Sequence, residues 1–197
     1  MRKRAMKLTC LSLAALLAVA CLLACRPGVA RADDDASLFF LSPSYSWYMP
    51  TSGKVKDAFG STWDGFGVVL NLESFAWTNL LRAGDFRLHP YFGYYRSTEN
   101  GNEATLIPIG LEGRWRLAGT EHFRPYFGLG LSGYAVNLED NSRGVDSGWK
   151  AAFGGRVMVG ADVTRWFNLQ ASYNVVSDVK GYDLGGFGIL AKVNFYF

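Results

Sequence analysis

Beyond residue 25 the sequence has no cysteine: Cys10, Cys21 and Cys25 are the only three. Anything that follows therefore has no disulfide, no thiol nucleophile and no cysteine metal site. Histidine is almost as scarce, with His89 and His122 alone, and two imidazoles on separate segments are thin material for a metal centre. Long apolar runs are also missing after residue 25, so nothing there reads as a membrane-spanning helix. A chain without such staples must be held together by something else.

The one long apolar stretch sits at the start. Arg2, Lys3, Arg4 and Lys7 precede an uncharged Leu- and Ala-rich run over residues 8–25, and Arg26, Pro27 and Gly28 then break any helix. Ala30-Arg31-Ala32 offers small residues at both positions that a signal peptidase reads. This is the layout of a secretory signal peptide cleaved after Ala32, leaving a single domain over residues 33–197. Two other readings use the same residues: a retained anchor, and a lipoprotein signal in which Leu22-Leu23-Ala24-Cys25 acts as a lipobox. The leader carries six basic residues, so removing it turns a formal charge of +3 into −3. The basic balance is then no argument for nucleic acid.

The rest of the chain alternates with period two between short breaks rich in Gly, Asn and Asp. In residues 187–197, Phe187, Ile189, Ala191, Val193, Phe195 and Phe197 oppose Gly188, Leu190, Lys192, Asn194 and Tyr196. Leu169, Ala171, Tyr173 and Val175 oppose Asn168, Gln170, Ser172, Asn174 and Asp178. Further upstream, Phe153, Val157, Val159 and Val163 oppose Lys150, Arg156 and Asp162, and Phe127, Leu129 and Leu131 oppose Tyr126, Gly128, Gly130 and Ser132. Ile107, Ile109, Leu111 and Trp115 oppose Glu112, Arg114 and Arg116. With residues 38–49, 63–73 and 86–96 this predicts eight strands, each with one apolar and one polar side. Long polar breaks fall at residues 50–62, 98–104, 139–148 and 180–186, and shorter ones near 118–122 and 164–166. Residues 74–85 are long and partly apolar where a short turn is expected, which suits an interfacial helix or longer flanking strands.

Alternation alone also fits a soluble barrel, including a periplasmic ligand-binding one. Two features favour a membrane. The polar faces are rich in Gly, Ser and Asn, suited to a narrow packed lumen, and the apolar faces carry Phe, Trp and Tyr near strand ends, as interfacial girdles do. His89-Pro90-Tyr91-Phe92-Gly93 resembles Arg124-Pro125-Tyr126-Phe127-Gly128, which reads either as hairpin duplication or as convergent girdle chemistry.

On these patterns, and on the closing Val193, Phe195 and Phe197 that resemble the assembly signal of outer-membrane barrels, the chain resembles the small eight-stranded outer-membrane proteins, the OmpA/OmpX/OmpW-like group. The resemblance implies an all-β, closed antiparallel up-and-down transmembrane β-barrel, with long breaks outside and short turns in the periplasm. It implies outer-membrane lipid and lipopolysaccharide as surroundings, contact with the barrel-assembly machinery through the last strand, and a monomer. No cofactor or nucleic acid is expected.

In that register Glu73, Arg87, Glu112, Arg114, Arg116, Arg156, Asp162, Asp178 and Lys192 point inward. An eight-stranded barrel is just wide enough to fill with side chains, so these charges are expected to form a paired plug; a charged constriction for small solutes is the other use. Gly128-Leu129-Gly130-Leu131-Ser132-Gly133 has dinucleotide-motif spacing, but it lies inside a strand without the helix that would hold a pyrophosphate. Both histidines fall near periplasmic strand ends, and the late strand reads Ser172-Tyr173-Asn174 without a neighbouring His, so a Ser–His lipid-A deacylase looks absent. Glu139, Asp140 and Asp146 share a loop where paired carboxylates are possible. The expectation is a non-enzymatic envelope protein that makes contacts through external loops, with a narrow channel or a lipid-modifying enzyme as the alternatives.

Overall fold

The computed structural model describes residues 40–71, 86–117, 120, 123–164 and 166–196. Alternation becomes eight antiparallel strands: β1 (Phe40–Pro50), β2 (Trp63–Asn71), β3 (Phe86–Glu99), β4 (Asn102–Arg116), β5 (Arg124–Asp140), β6 (Val145–Asp162), β7 (Phe167–Val176) and β8 (Gly186–Val193). Past Asn194 a two-residue strand, β9 (Phe195–Tyr196), continues along β1. Each strand pairs with its neighbours in sequence, and β1 pairs with both β2 and β8, so the sheet closes with no free edge. Closure satisfies every backbone rung internally, which a barrel in lipid requires. Among the described residues, no helix is long and apolar enough to cross a membrane.

One connection holds the single described helix, α1 (Gly53–Phe59), between β1 and β2. Val55, Ala58 and Phe59 lie at i, i+3 and i+4 and are buried as one stripe. The helix ends at Gly60, whose φ of +86° suits glycine. Asn102 donates from Nδ2 to the Ala58 carbonyl (2.8 Å), Ser97 donates to the Phe59 carbonyl, and Trp63 Nε1 donates to the Gly60 carbonyl (3.2 Å). These bonds seat the helix across the barrel mouth opposite the end where β1 begins.

Two of the expected long breaks prove to be tight turns. β3 runs to Glu99 and β4 starts at Asn102, joined by Asn100-Gly101 with φ of +53° and +77°, the two-residue turn that matches strand twist. β5 and β6 likewise extend to Asp140 and from Val145, leaving only residues 141–144 between them. The stretch over residues 50–62 is not a simple loop, because it carries α1. Residues 74–85 lie outside the described residues.

The reason for the extended strands is an inversion of the alternation. Along the lower part of β5, outward Phe127, Leu129 and Leu131 are exposed, while inward Gly128, Gly130 and Ser132 are buried. Higher up the outward positions become Asn137 and Glu139, and the buried inward ones become Tyr134, Val136 and Leu138. β4 does the same: Glu103 and Thr105 face away from Ala104 and Leu106 near the turn, whereas Ile109 and Leu111 face away from Glu112 lower down. The structure is thus one closed barrel with two zones end to end. The lower one is apolar outside and polar inside. The upper one is a small water-style barrel whose core joins Tyr48, Phe59, Trp63, Tyr95, Leu138 and Tyr182.

Candidate functional site: a buried charge cluster

Strand pairing brings Glu112 of β4 beside His89 of β3 and Gly130 of β5, with Arg114 one inward position below it. Gly130 pairs in turn with Arg156 of β6. A Cβ on Gly130 would sit 3.0 Å from Arg156 Cγ and 3.2 Å from its Nε, so the glycine makes room for that side chain. Gly160 does the same for Tyr126, and Gly128 for Met158. Of the glycines that matched a dinucleotide spacing, Gly128 and Gly130 are therefore space-makers inside a strand, while Gly133 faces open space.

Glu112 is fully buried and forms ion pairs with Arg114 and Arg156, and Lys192 Nζ lies 3.9 Å away. Lys192 donates to Gln170 Oε1 (2.5 Å), whose other neighbour is the Tyr126 hydroxyl at 3.0 Å. That hydroxyl also lies 3.0 Å from Asn168 Oδ1, and Asn168 Nδ2 donates to Asp162 (2.8 Å). The guanidinium of Arg156 lies over the Tyr91 ring at 3.6 Å, and that of Arg114 over the Tyr126 ring at 5.0 Å. Both tyrosines come from the repeated Pro-Tyr-Phe-Gly segments. Each repeat thus places one tyrosine inward beneath an arginine and one phenylalanine, Phe92 or Phe127, outward.

The other predicted lumen charges divide. Arg87, Arg116 and Asp162 are half-buried on the inward face toward the end where β1 begins, and neither Arg87 nor Arg116 lacks a partner. Glu73 lies outside the described residues. Asp178 is a correction: β7 ends at Val176, Ser177 closes the last rung against Phe153, and the chain then turns through Lys180-Gly181, leaving Asp178 exposed. His89 is a second correction. The sequence suggests a girdle or turn residue, but its side chain is 1% exposed, inside the barrel beside Glu112. Its inward parity in β3 was the available signal. His122 and Phe197 lie outside the described residues, while Val193 and Phe195 are exposed on the outer face.

Glu139 and Asp146 face each other across the outer side of β5 and β6, but Asp140 turns inward and is buried. Ser142 Oγ (2.5 Å) and Tyr182 Oη (2.6 Å) donate to it, and these bonds hold its carboxyl below the usual carboxylate range. Asp140 therefore stands apart from Glu139 and Asp146, and the three acids do not share one site. Among the described residues no group of His, Cys, Asp and Glu could hold a metal ion.

The outer surface is a belt. On β6, Phe153, Gly155, Val157, Val159 and Ala161 face out, with Phe153 at 74% exposure and Val159 at 61%, and Val163 just past the strand is exposed as well. Ten residues rise about 33 Å along a strand, or about 25 Å along the axis of a barrel tilted by roughly 40°, the height of an outer-membrane apolar band. Aromatic residues mark both margins. Trp115 stacks on Phe127 (5.3 Å) near one, and Tyr45 meets Trp47 edge-on (5.0 Å) near the other.

No protein-family model and no curated protein matches the chain. Solved structures do. Neisserial surface protein A aligns with a TM-score of 0.59 and 19% identity, over 81% of this chain and 97% of that one. The outer-membrane protein OprG from Pseudomonas aeruginosa aligns at 0.52 and 12%, over 82% and 97%. The outer-membrane enzyme PagL aligns at 0.51 and 13%, over 79% and 99%. At these identities the likeness is one of fold: the chain is a closed eight-stranded barrel of the kind found in small outer-membrane proteins. One of the three is an enzyme, so the shared fold does not assign a role.

Proposed function

We propose that this chain is an integral outer-membrane barrel of structural rather than catalytic kind, closed to solutes, which presents its α1 end to the outside of the cell. What carries the reading is that the interior is filled at two levels. In the periplasmic half Glu112, Arg114, Arg156 and Lys192 occupy the lumen with their hydrogen-bonded partners. In the external half α1 lays Phe59 against Trp63 and Tyr182, at ring separations of 6.3 and 5.5 Å. A conducting path would have to disrupt both a buried ion cluster and an apolar core.

The belt makes lipid and lipopolysaccharide its immediate partners, and a closed sheet leaves no edge for a second copy, which supports a monomer. The leader delivers the chain to the periplasm, and the exposed Val193 and Phe195 on the last strand are the contact for assembly machinery. An enzymatic role would need a base near an outer-face nucleophile. Among the described residues the one imidazole is His89, which is enclosed.

Conductance of the refolded barrel in a planar bilayer tests this. A silent, correctly folded barrel is the expected result. Reproducible current steps that shift with Arg114→Ala would instead make it a channel with a charged constriction.

A further inference from the structure

We propose that the end of β6 that projects beyond β7 is a docking edge for an extended, acidic polypeptide segment of another protein. The sheet is closed up to the level of Val176, where β7 ends against Gly154. β6 continues above that level to Val145, paired there with β5 alone. One flank of the projecting sheet, where β3 and β4 turn, is covered by α1, held there by Ser97 and Asn102. Among the described residues no strand pairs with the other flank.

Backbone direction identifies the free groups. Phe153 turns its N–H and its C=O toward β7: the N–H donates to Ser177 Oγ (3.0 Å), and the C=O accepts from the Ser177 N–H (2.8 Å). These groups alternate in direction along a strand, so Ala151 and Trp149 point theirs to the same flank. Their pairing with Ala135 and Asn137 leaves the β5 rungs to Lys150 and Ala152. Beyond Ser177 the chain leaves the wall, because Val179, Tyr182 and Leu184 are buried in the tip core. The N–H and C=O groups of Trp149 and Ala151 thus lie where a further strand would bond, and Trp149, Lys150 and Ala151 are all exposed. A strand flank of this kind recruits extended chain through main-chain hydrogen bonds.

Side chains on the edge choose the occupant. Trp149, 60% exposed, shares the outer face with Ala151, so an incoming strand sets apolar or β-branched residues beside them. Lys150 lies on the other face, opposite Val136, and among the described residues no carboxylate pairs with it. A Glu or Asp across from Lys150 is therefore favoured and a basic residue opposed. The same rule disfavours a second copy of this chain, whose edge would set its own Lys150 opposite. That the edge lies outside the cell rests on the outward orientation of the α1 end proposed above.

The full barrel is refolded in detergent, and its amide exchange is followed by NMR with and without a peptide of alternating Val and Glu. The Trp149 and Ala151 amides should exchange fast in the free protein and slow about tenfold or more with the peptide. Ala151→Pro removes an edge N–H without touching a β5 rung and should abolish binding. Lys150→Glu should reverse the preference, favouring a Val–Lys peptide about tenfold. Slow exchange of both amides in the free barrel would overturn the proposal. So would equal binding of the two peptides to the native protein, or undiminished binding by Ala151→Pro. If that variant fails to refold, Lys150→Glu decides, and an unchanged preference refutes the edge. Binding to the refolded barrel but not to intact cells producing it would uphold the edge and overturn the outward orientation instead.

Discussion

Truncating Phe59 to alanine should open the external tip without loosening the belt. The ring is fully buried between Trp63 and Tyr182, and removing a buried phenylalanine costs about 3–5 kcal/mol. That loss falls on a seven-residue helix, held by a few hydrogen bonds from Ser97, Asn102 and Trp63 and by Lys54, which donates to the Gly181 carbonyl at 2.9 Å. Such a segment can lift while the closed sheet stays paired, so the deficit appears as local opening. A cost of 3 kcal/mol raises the open population by roughly two powers of ten. Trypsin reports it directly, because Lys54 and Lys56 lie on α1, and cleavage follows the open fraction when closing outpaces cutting. Cleavage after these lysines should rise about a hundredfold in Phe59→Ala. It should not change in Phe66→Ala, whose ring is 48% exposed on the outer face. The reasoning fails if Phe59→Ala leaves tip cleavage unchanged, or if the whole barrel loses the same stability, since the helix and wall would then unfold as one.

Three other outcomes follow from the geometry. Leu131→Arg, 77% exposed in the belt, should cost about 2–4 kcal/mol of folding free energy in a bilayer, whereas Asn137→Arg on the same strand face should cost about 0–1 kcal/mol; urea unfolding in vesicles compares them. Glu112→Gln should lose about 3–5 kcal/mol, the cost of breaking a buried ion pair, and a change under 1 kcal/mol would mean that the cations do not depend on it. Asp140, with a folded pKa below its unfolded value near 4, contributes stability that is present above about pH 4 and disappears as pH falls through the folded value. The unfolding midpoint of the native protein should therefore drop on acidification by more than that of Asp140→Asn.

Much of the barrel was legible because lipid outside and small polar residues inside give an unambiguous period of two. Strand number, inward parity of Arg156 and Lys192, and the pairing of polar faces all follow from it. The tip was misread where the rule changed sign. Thr98, Glu103 and Glu139 look like loop residues when polarity is taken to mean interior, yet they are the wetted outer face of strands whose inner residues are Ala104, Leu106 and Leu138. α1 escaped notice because seven residues offer only one apolar repeat, Val55 to Ala58 and Phe59. His89 was assigned to a strand end although its parity with Tyr91 points it inward. Asp178 was placed inside by the same parity, but the strand stops two residues earlier.

The level at which the alternation inverts also makes the barrel a gauge of bilayer thickness. On β5 the crossover lies between Leu131 and Asn137, and on β4 between Thr105 and Ile109. Above it, aliphatic side chains hold an enclosed core together; below it, they meet acyl chains. Sliding the barrel outward by one pleat would expose leucines to water, and sliding it inward would draw Glu103 and Glu139 into hydrocarbon. Because neither face tolerates the shift, a mismatched membrane must deform around the wall, at a cost that grows with every ångström of error. The same flip that misleads a reader of the sequence therefore fixes the protein's depth and favours membranes of one thickness over others.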